Sequence, residues 1–211
     1  MFITVDDYEE MYLKGHSAEE ILAETEKLRR EIAKTKRKAE SPSYIYNAKE
    51  FPTVADTVAI YRNYLARAVA ILSDTWDVCA LTEEDKASAI FDSMIDSISC
   101  LTLTAGVYLQ DKYEIIISGE EALLSNQTLG AEKVCKSVDK DKVLSSFRAL
   151  FVGEWESVYV PENYGCTLNE PTKWQLRIDY CGTAAPRFYD GFGIFPYNFR
   201  SLQKIFEADI I

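Results

Sequence analysis

The stretch from Ser17 to Ala39, SAEEILAETEKLRREIAKTKRKA, decides the first part of the fold. Its apolar residues recur at intervals of three and four positions, which predicts one long α-helix. Ser17 and Glu20 have the spacing of a capping box, in which a hydroxyl and a carboxylate each bind a free backbone N–H at the helix start. Ser41 and Pro42 follow, and a helix usually ends before a proline. The sequence therefore defines both ends of this helix.

The helix has a narrow apolar seam. With Ile21 at heptad position d, the a and d positions hold Ile21, Thr25, Leu28, Ile32, Thr35 and Ala39. The flanking positions give two pairs of opposite charge, Glu24 with Arg29 and Glu31 with Lys36. Such pairs are typical of a parallel two-stranded coiled coil. Three interpretations stay open: a helix packed along its own domain, a homodimeric or partner-binding coil through residues 17–39, and contact with nucleic acid.

Positive charge is concentrated in the second half of this helix. Residues 17–39 contain seven basic and five acidic residues, and every basic residue lies at or after Lys27. We predict partner-binding positions at Lys27, Arg30, Lys34, Arg37 and Lys38. Cations near a helix C-terminus also complement the helix dipole, which is a sufficient local reason for them.

The whole chain is acidic, with a formal net charge of −11 over 211 residues. A surface of this charge repels phosphate groups, which argues against nucleic acid as the sole ligand. It is compatible with a basic protein partner, including an enzyme that holds nucleic acid in a groove. Acidic surfaces also keep proteins soluble, which is the simpler explanation.

The cysteines and the single histidine give no basis for a zinc site. The five cysteines show no C-x-x-C spacing and stand at positions 79, 100, 135, 166 and 181. We expect them to be small buried hydrophobes in a reducing, cytoplasmic protein. The first residues lack the basic and apolar regions of a signal peptide, and no apolar run reaches the length of a membrane span. We predict no cofactor, no metal and no membrane association.

Apolar periodicity predicts further helices at residues 4–14, 53–72, 83–98 and 139–151. We expect the helices at 53–72 and 83–98 to form an antiparallel helical hairpin. Residues 101–109 and 113–119 are rich in β-forming residues around a polar break, which predicts a β-hairpin. Residues 120–138 show no clear pattern.

The best candidate for a domain boundary is a two-proline segment at residues 41–52. It divides the chain into a helical arm, residues 1–41, and an α+β body, residues 42–211. The last part of the body, residues 151–211, holds 13 of the 26 aromatic residues of the chain. Aromatic rings therefore dominate the predicted packing of this tail.

Alternation with period two predicts tail strands at residues 154–160 and 173–180, with a third at 187–189. A final helix begins at Pro196 and covers one sheet face. We expect it to bury three apolar residues, Leu202, Ile205 and Phe206. The predicted fold class is α+β, with a long N-terminal helix, a helical hairpin, a small antiparallel sheet and a C-terminal covering helix.

The tail also carries a resemblance. Trp174-x-Leu-x-Ile-x-Tyr180, then a glycine and Pro196-Tyr-Asn-Phe-x-x-Leu202, resembles the ending of small uncharacterised accessory proteins of Firmicute phages and mobile elements. Their N-terminal parts have a similar Gly-x-Ser-x-Glu-Glu-Ile helix, which begins here at Gly15. These are packing motifs, so the resemblance implies no particular activity. It implies a mobile-element accessory gene, and such genes often encode inhibitors of host defence.

The catalytic arrangements that the sequence permits depend on carboxylates. The only histidine, His16, lies in a predicted turn, which disfavours histidine-dependent nucleophiles. No phosphate-binding glycine motif is present. Asp92 and Asp96 lie one helical turn apart, a spacing that suits a divalent metal but also an ordinary solvated face. Asp179 and Asp190 are candidates for a cleft on the tail sheet.

Tail aromatics are the other binding candidates, because tyrosine is enriched in interface hot spots. We assign Tyr189 and Tyr197 to partner binding, with a core role left open for both, and we assign Phe192 and Phe195 to the core.

The leading hypothesis is a non-enzymatic interaction protein that binds and modulates a macromolecular partner, such as an anti-CRISPR-like inhibitor of a host defence nuclease. One alternative is a carboxylate- or metal-dependent hydrolase with a site on the C-terminal sheet. Another is a dimeric accessory protein associated with nucleic acid.

Overall fold

The computed structural model describes residues 2–44, 52–128, 130, 132–208 and 210. The chain divides into two compact units, residues 1–83 and 84–211. The boundary predicted from the sequence lies earlier, within residues 41–52, and positions 45–51 of that segment lie outside the described residues.

The described residues of the first unit form three helices: α1 (Val5–Tyr12), α2 (Ala18–Glu40) and α3 (Val54–Trp76). Each begins with a side-chain cap that the sequence specifies. Ser17 and Glu20 form the predicted capping box of α2, and Thr53 forms another at the start of α3 with Asp56. These caps bind backbone N–H groups that have no partner inside the helix, and each typically contributes about 1 kcal/mol.

The apolar seam of α2 is buried inside this unit. Ile21 and Leu28 are 1% and 4% exposed and belong to one core with Tyr64, Ala68 and Leu72 of α3. Of the three interpretations left open by the sequence, the fold adopts packing of the helix along its own domain. The seam is consequently not available to a second copy while α2 packs on α3.

The helical hairpin pairs different helices from those predicted. Helix α3 packs against α2 and α1, whereas α4 (Glu83–Met94) lies almost entirely in the second unit. The predicted antiparallel pair of 53–72 with 83–98 is therefore replaced by α2 with α3. Local periodicity identifies an apolar face but does not identify its partner.

The second unit is built on a seven-stranded sheet with the order β4-β3-β2-β1-β6-β7-β5. The strands are β1 (Ile98–Gly106), β2 (Asp111–Ser118), β3 (Glu121–Gln127), β4 (Val134–Val138), β5 (Val158–Tyr159), β6 (Lys173–Tyr180) and β7 (Arg187–Phe192). Among the described strands, only β5 and β7 pair in parallel. With α5 (Lys140–Arg148) and α6 (Phe199–Phe206), the fold class is α+β and ends in a helix, as predicted.

Several element boundaries differ from the sequence prediction. The hairpin of β1 and β2 and the strand at 173–180 are confirmed. Strands β3 and β4 lie within the range 120–138, for which the sequence showed no clear pattern. The strand predicted at 154–160 is only Val158–Tyr159, because a short 3-10 turn occupies Val152–Glu154. The last helix begins at Phe199 rather than at Pro196.

One face of the sheet carries the core of this unit. Alternate strand residues such as Leu103, Ile115 and Leu176 are fully buried there, together with Phe147 of α5. Helix α6 completes the core with three buried residues, Phe199, Leu202 and Phe206. Of the three residues predicted to be buried by this helix, Leu202 and Phe206 are, whereas Ile205 is only partly buried.

Candidate interaction surface

The five basic residues predicted to bind a partner share one face of α2. Lys27, Arg30, Lys34, Arg37 and Lys38 are all exposed. Their spacing of three or four positions places them along one stripe of the helix. The residues of the buried seam also recur at intervals of three and four positions, but they lie on the opposite side of the helix. We call this stripe the α2 basic face.

The α2 basic face is an isolated positive region in an acidic chain. Residues 27–38 carry seven basic side chains and a single acidic one, Glu31, whereas the whole chain has a net charge of −11. A local concentration of one charge sign produces a surface potential that steers partners of the opposite charge.

The members of the α2 basic face differ in their local pairing. Lys27 lies 3.0 Å from Glu24, and Lys34 lies 3.7 Å from Glu31. Arg37 also has an interaction within the chain. Among the residues that the structure describes, none forms an ion pair with Arg30 or Lys38. Exposed pairs of this kind contribute little, so these cations can exchange them for a partner at small cost.

An exposed aromatic residue that the sequence analysis did not select adjoins this face. The Nζ atom of Lys27 lies 5.6 Å from the ring centroid of Tyr12. Tyr12 is 41% exposed, and its neighbour Met11 is 60% exposed. A tyrosine beside a basic stripe is a typical interface anchor. No local signal marks Tyr12, because only the turn between α1 and α2 brings it near Lys27.

One of the two tyrosines assigned to partner binding is buried. Tyr189 is 5% exposed and packs edge-on against Trp155, with ring centroids 5.9 Å apart. It is a core residue, which corrects its assignment as a partner contact. Tyr197 is partly buried and already has an interaction within the chain. The assignment of Phe192 to the core is also corrected, since it is 36% exposed.

The face of the sheet opposite the core carries the exposed rings of β7. Phe188 is 44% exposed, and the guanidinium of Arg177 lies 5.6 Å from its ring centroid. Lys173 lies at a similar distance, 5.3 Å, from the ring of Phe192. Each ring is therefore partly covered by a cation of the neighbouring strand β6. Phe188 and Phe192 therefore form a second exposed aromatic surface, besides Tyr12.

The carboxylates considered for catalysis do not converge. Asp179 accepts two hydrogen bonds from Arg177, whereas Asp190 accepts one from Gln175 at 2.7 Å. Asp190 lies opposite Gln175 in the sheet, and Asp179 is four residues farther along β6. At about 3.3 Å per residue the two acids are roughly 13 Å apart. At this distance the two carboxylates cannot act together on one substrate bond.

The two carboxylates of the other pair, Asp92 and Asp96, lie in different secondary-structure elements. Asp92 belongs to α4, whereas Asp96 lies in a 3-10 turn, Ile95–Ser97, and forms an ion pair of 2.8 Å with Arg148. In the described part of the chain, no three His, Cys, Asp or Glu side chains come together as metal ligands. Three of the five cysteines, Cys79, Cys135 and Cys181, are exposed, which corrects the expectation that they are buried.

Comparison with known proteins gave no match among the family models, the curated proteins or the solved structures. None of the helices in the described residues combines the length and apolar character that a membrane span requires.

Proposed function

We propose that this protein is a non-enzymatic binding protein that docks on a macromolecular partner through the α2 basic face and modulates it. The observation that carries the proposal is the exposure of all five predicted basic residues on one helix face. The buried seam holds the helix backbone in place, so the spacing of the Cα atoms that carry these side chains is fixed. Preorganised contacts lose less entropy on binding than flexible ones.

The partner that suits this face is a protein with an acidic patch. Cationic side chains would steer encounter and fix the orientation of the complex. The net charge of −11 opposes the approach of a phosphate backbone. A protein partner can offer carboxylates to α2 without bringing a polyanion against the rest of the chain.

A host defence nuclease of the anti-CRISPR target type is the partner class that we favour. The resemblance to mobile-element accessory proteins supplies the biological setting. While the α2 basic face docks on an acidic patch of such an enzyme, the net negative charge of this protein would repel the nucleic acid that the enzyme binds. An inhibitor of this kind requires no catalytic group of its own, and the separated carboxylates at Asp179 and Asp190 are consistent with that.

Two variants of equal charge test the role of the α2 basic face. The first, Arg30→Glu with Lys34→Glu and Lys38→Glu, reverses three of its cations. The matched control, Lys133→Glu with Lys142→Glu and Lys204→Glu, reverses three exposed cations of the second unit. Both variants change the net charge by the same amount. The full-length wild-type chain and both variants would be immobilised and exposed to host lysate, and retained proteins identified by mass spectrometry.

We expect a stoichiometric partner to be retained by the wild type and the control but lost from the α2 variant. The purified partner would then be assayed for nuclease activity with increasing amounts of this protein, and inhibition should saturate near equimolar ratio. Equal retention by both variants would reject the α2 basic face as the docking site. Retention of nucleic acid alone, abolished by nuclease treatment of the lysate, would favour the nucleic-acid accessory instead.

A further inference from the structure

A cluster of polar groups lies on the core face of the sheet, where β6 ends and β7 begins. Arg187 is placed opposite Ile178 in the sheet register, so Tyr180 is its diagonal neighbour on β6. Tyr189 follows two residues later on β7, on the same face. Diagonal and next-but-one neighbours on one face are within reach of long side chains. The three side chains therefore meet beneath Phe91 of α4.

Arg187 is the charged member of this cluster. Its guanidinium lies 4.9 Å from the ring centroid of the fully buried Phe91, and its positive charge opposes the rise that burial causes in the pKa of Tyr189. No carboxylate among the residues that the structure describes forms an ion pair with it. Arg187 is only partly exposed, and a partly buried cation without a counter-ion retains unused hydrogen-bond donors.

Tyr180 supplies an unused hydroxyl beside this cation. The residue is 7% exposed, and its hydroxyl oxygen is buried with no hydrogen-bond partner among the described residues. Burial raises the pKa of Tyr180, and Tyr189 has its pKa raised by the same cause. Both hydroxyls therefore keep their protons at neutral pH. A buried hydroxyl without a partner is unfavourable, so such a group in a native fold calls for an explanation.

A second orphan donor lies close to Tyr189. Trp155 is 6% exposed, its ring packs edge-on against Tyr189, and its Nε1 atom has no hydrogen-bond partner in the described part of the chain. One guanidinium and several neutral donors thus occupy the same small region of the core face. No negatively charged side chain of the described residues is paired with any of them.

We infer that Arg187, Tyr180 and Tyr189 form a binding site for the carboxylate group of a small organic acid. The guanidinium supplies the positive charge and two parallel N–H donors for a planar carboxylate. The Tyr180 hydroxyl donates a hydrogen bond to one of the carboxylate oxygens. Phe91 covers the flat face of the guanidinium, which orients its donor edge. A phosphate dianion carries more charge and more oxygens than these donors satisfy. The site is independent of the α2 basic face and extends the proposed function to a small-molecule ligand.

Thermal unfolding of the full-length chain tests the site, with sodium acetate as the probe. Acetate would replace chloride at constant ionic strength and neutral pH, because only binding to the folded state raises the unfolding temperature in a saturable way. Sodium phosphate would be titrated in parallel. The variants are Arg187→Gln, Tyr180→Phe and the matched control Arg177→Gln, which removes the same charge from the opposite face of the sheet and likewise uncovers a phenylalanine ring.

We expect a saturable acetate effect in the wild type and in Arg177→Gln. Apparent affinity should fall about tenfold or more in Arg187→Gln, because a charge-assisted hydrogen bond is lost. Tyr180→Phe should weaken acetate binding while leaving the unfolding temperature in chloride equal to that of the wild type or higher. This variant keeps the test decisive if Arg187→Gln fails to fold. No acetate effect, or an equal effect in all four proteins, would overturn the site. Stronger binding of phosphate would overturn its assignment to carboxylates.

Discussion

The rings of Tyr8 and Tyr64 stack face to face, with centroids 4.0 Å apart and an interplanar angle of 3°. Tyr8 belongs to α1 and Tyr64 to α3, so this contact fixes the first helix on the third. The Tyr64 hydroxyl also accepts a hydrogen bond from the backbone N–H of Ile3 at 3.2 Å and donates one to the carbonyl of the same residue. The Tyr8 hydroxyl donates to Glu24 of α2. One pair of tyrosines therefore joins all three helices of the first unit.

Replacing Tyr64 by phenylalanine should destabilise the first unit by about 1–2 kcal/mol. The substitution keeps the ring stack but removes both hydrogen bonds to Ile3, and each is worth roughly 1 kcal/mol. Urea unfolding followed by far-ultraviolet circular dichroism measures the change. Tyr61→Phe is the control, because the hydroxyl of Tyr61 has no hydrogen-bond partner among the described residues, and it should stay within about 0.5 kcal/mol of the wild type.

The two faces of α2 should respond to substitution in opposite ways. Leu28→Ala removes a side chain that is 4% exposed and should cost about 2–5 kcal/mol, because it leaves a cavity in the core. Arg30→Ala alters an exposed position and should change the free energy of unfolding by less than about 0.5 kcal/mol. Chemical denaturation of both variants measures the difference. Equal and small effects would mean that the α2 seam is not buried in solution.

Gly191 should not tolerate a side chain. A Cβ atom at this position would lie 1.9 Å from Nε1 of Trp174, which donates a hydrogen bond of 2.8 Å to the carbonyl of Ile194. Gly191→Ala must displace the indole and break this bond, so we expect a loss of about 3 kcal/mol or more.

Gly119→Ala is the control for Gly191. A Cβ at Gly119 meets nothing within 4 Å, but its φ of +61° costs an alanine about 1 kcal/mol. Thermal unfolding compares the two variants. A smaller loss for Gly191→Ala than for Gly119→Ala would contradict the packing of Trp174 described here.

The protein should lose stability at alkaline pH. Burial raises the pKa of Tyr8, with a further contribution from the hydrogen bond to Glu24, and burial also raises the pKa of Tyr180 and Tyr189. A folded-state pKa above the unfolded value of about 10 stabilises the fold fully below that pH. This stabilisation is lost as the pH rises from about 10 towards the folded-state pKa values, because the unfolded chain releases protons that the folded chain retains.

At pH 11 Tyr8 should have lost about 1 kcal/mol of its stabilising contribution relative to pH 9. Urea unfolding at a series of pH values measures this slope. Tyr8→Phe should reduce the slope by the share of one residue. A flat profile between pH 9 and 11 would contradict the burial of these hydroxyls.

The sequence predicts helices well but predicts the sheet only in part. The caps at Ser17 and Thr53 and the helices that follow them depend on residues within one or two turns, so they can be read locally. Strands β3 and β4 gave no pattern, since β4 is exposed along most of its length and lacks alternation. It is a strand because it pairs with β3, and such pairing is not encoded in the strand alone.

The candidate surfaces also differ in how well the sequence predicts them. The exposure of the α2 basic face can be predicted from the sequence, because helical periodicity separates an apolar seam from its opposite side. On β7 the two predicted faces are exchanged. Tyr189, assigned to partner binding with a core role left open, is buried, whereas Phe192, assigned to the core, is exposed. Alternation identifies two sets of residues on a strand but does not identify which set faces inward. In β7 the core faces Tyr189, because Trp155 and the helices of this unit lie on that side.

The sequence by itself determined the ends of α2, the α+β class and the charge distribution, because these follow from interactions between near neighbours and from composition. The tertiary structure alone decided the partner of the α2 seam, the pairing of the carboxylates and the meeting of Arg187 with Tyr180 and Tyr189. Those relationships join residues from different helices and strands. They depend on strand register and helix packing, in which many weak contacts act together and no short stretch specifies the outcome.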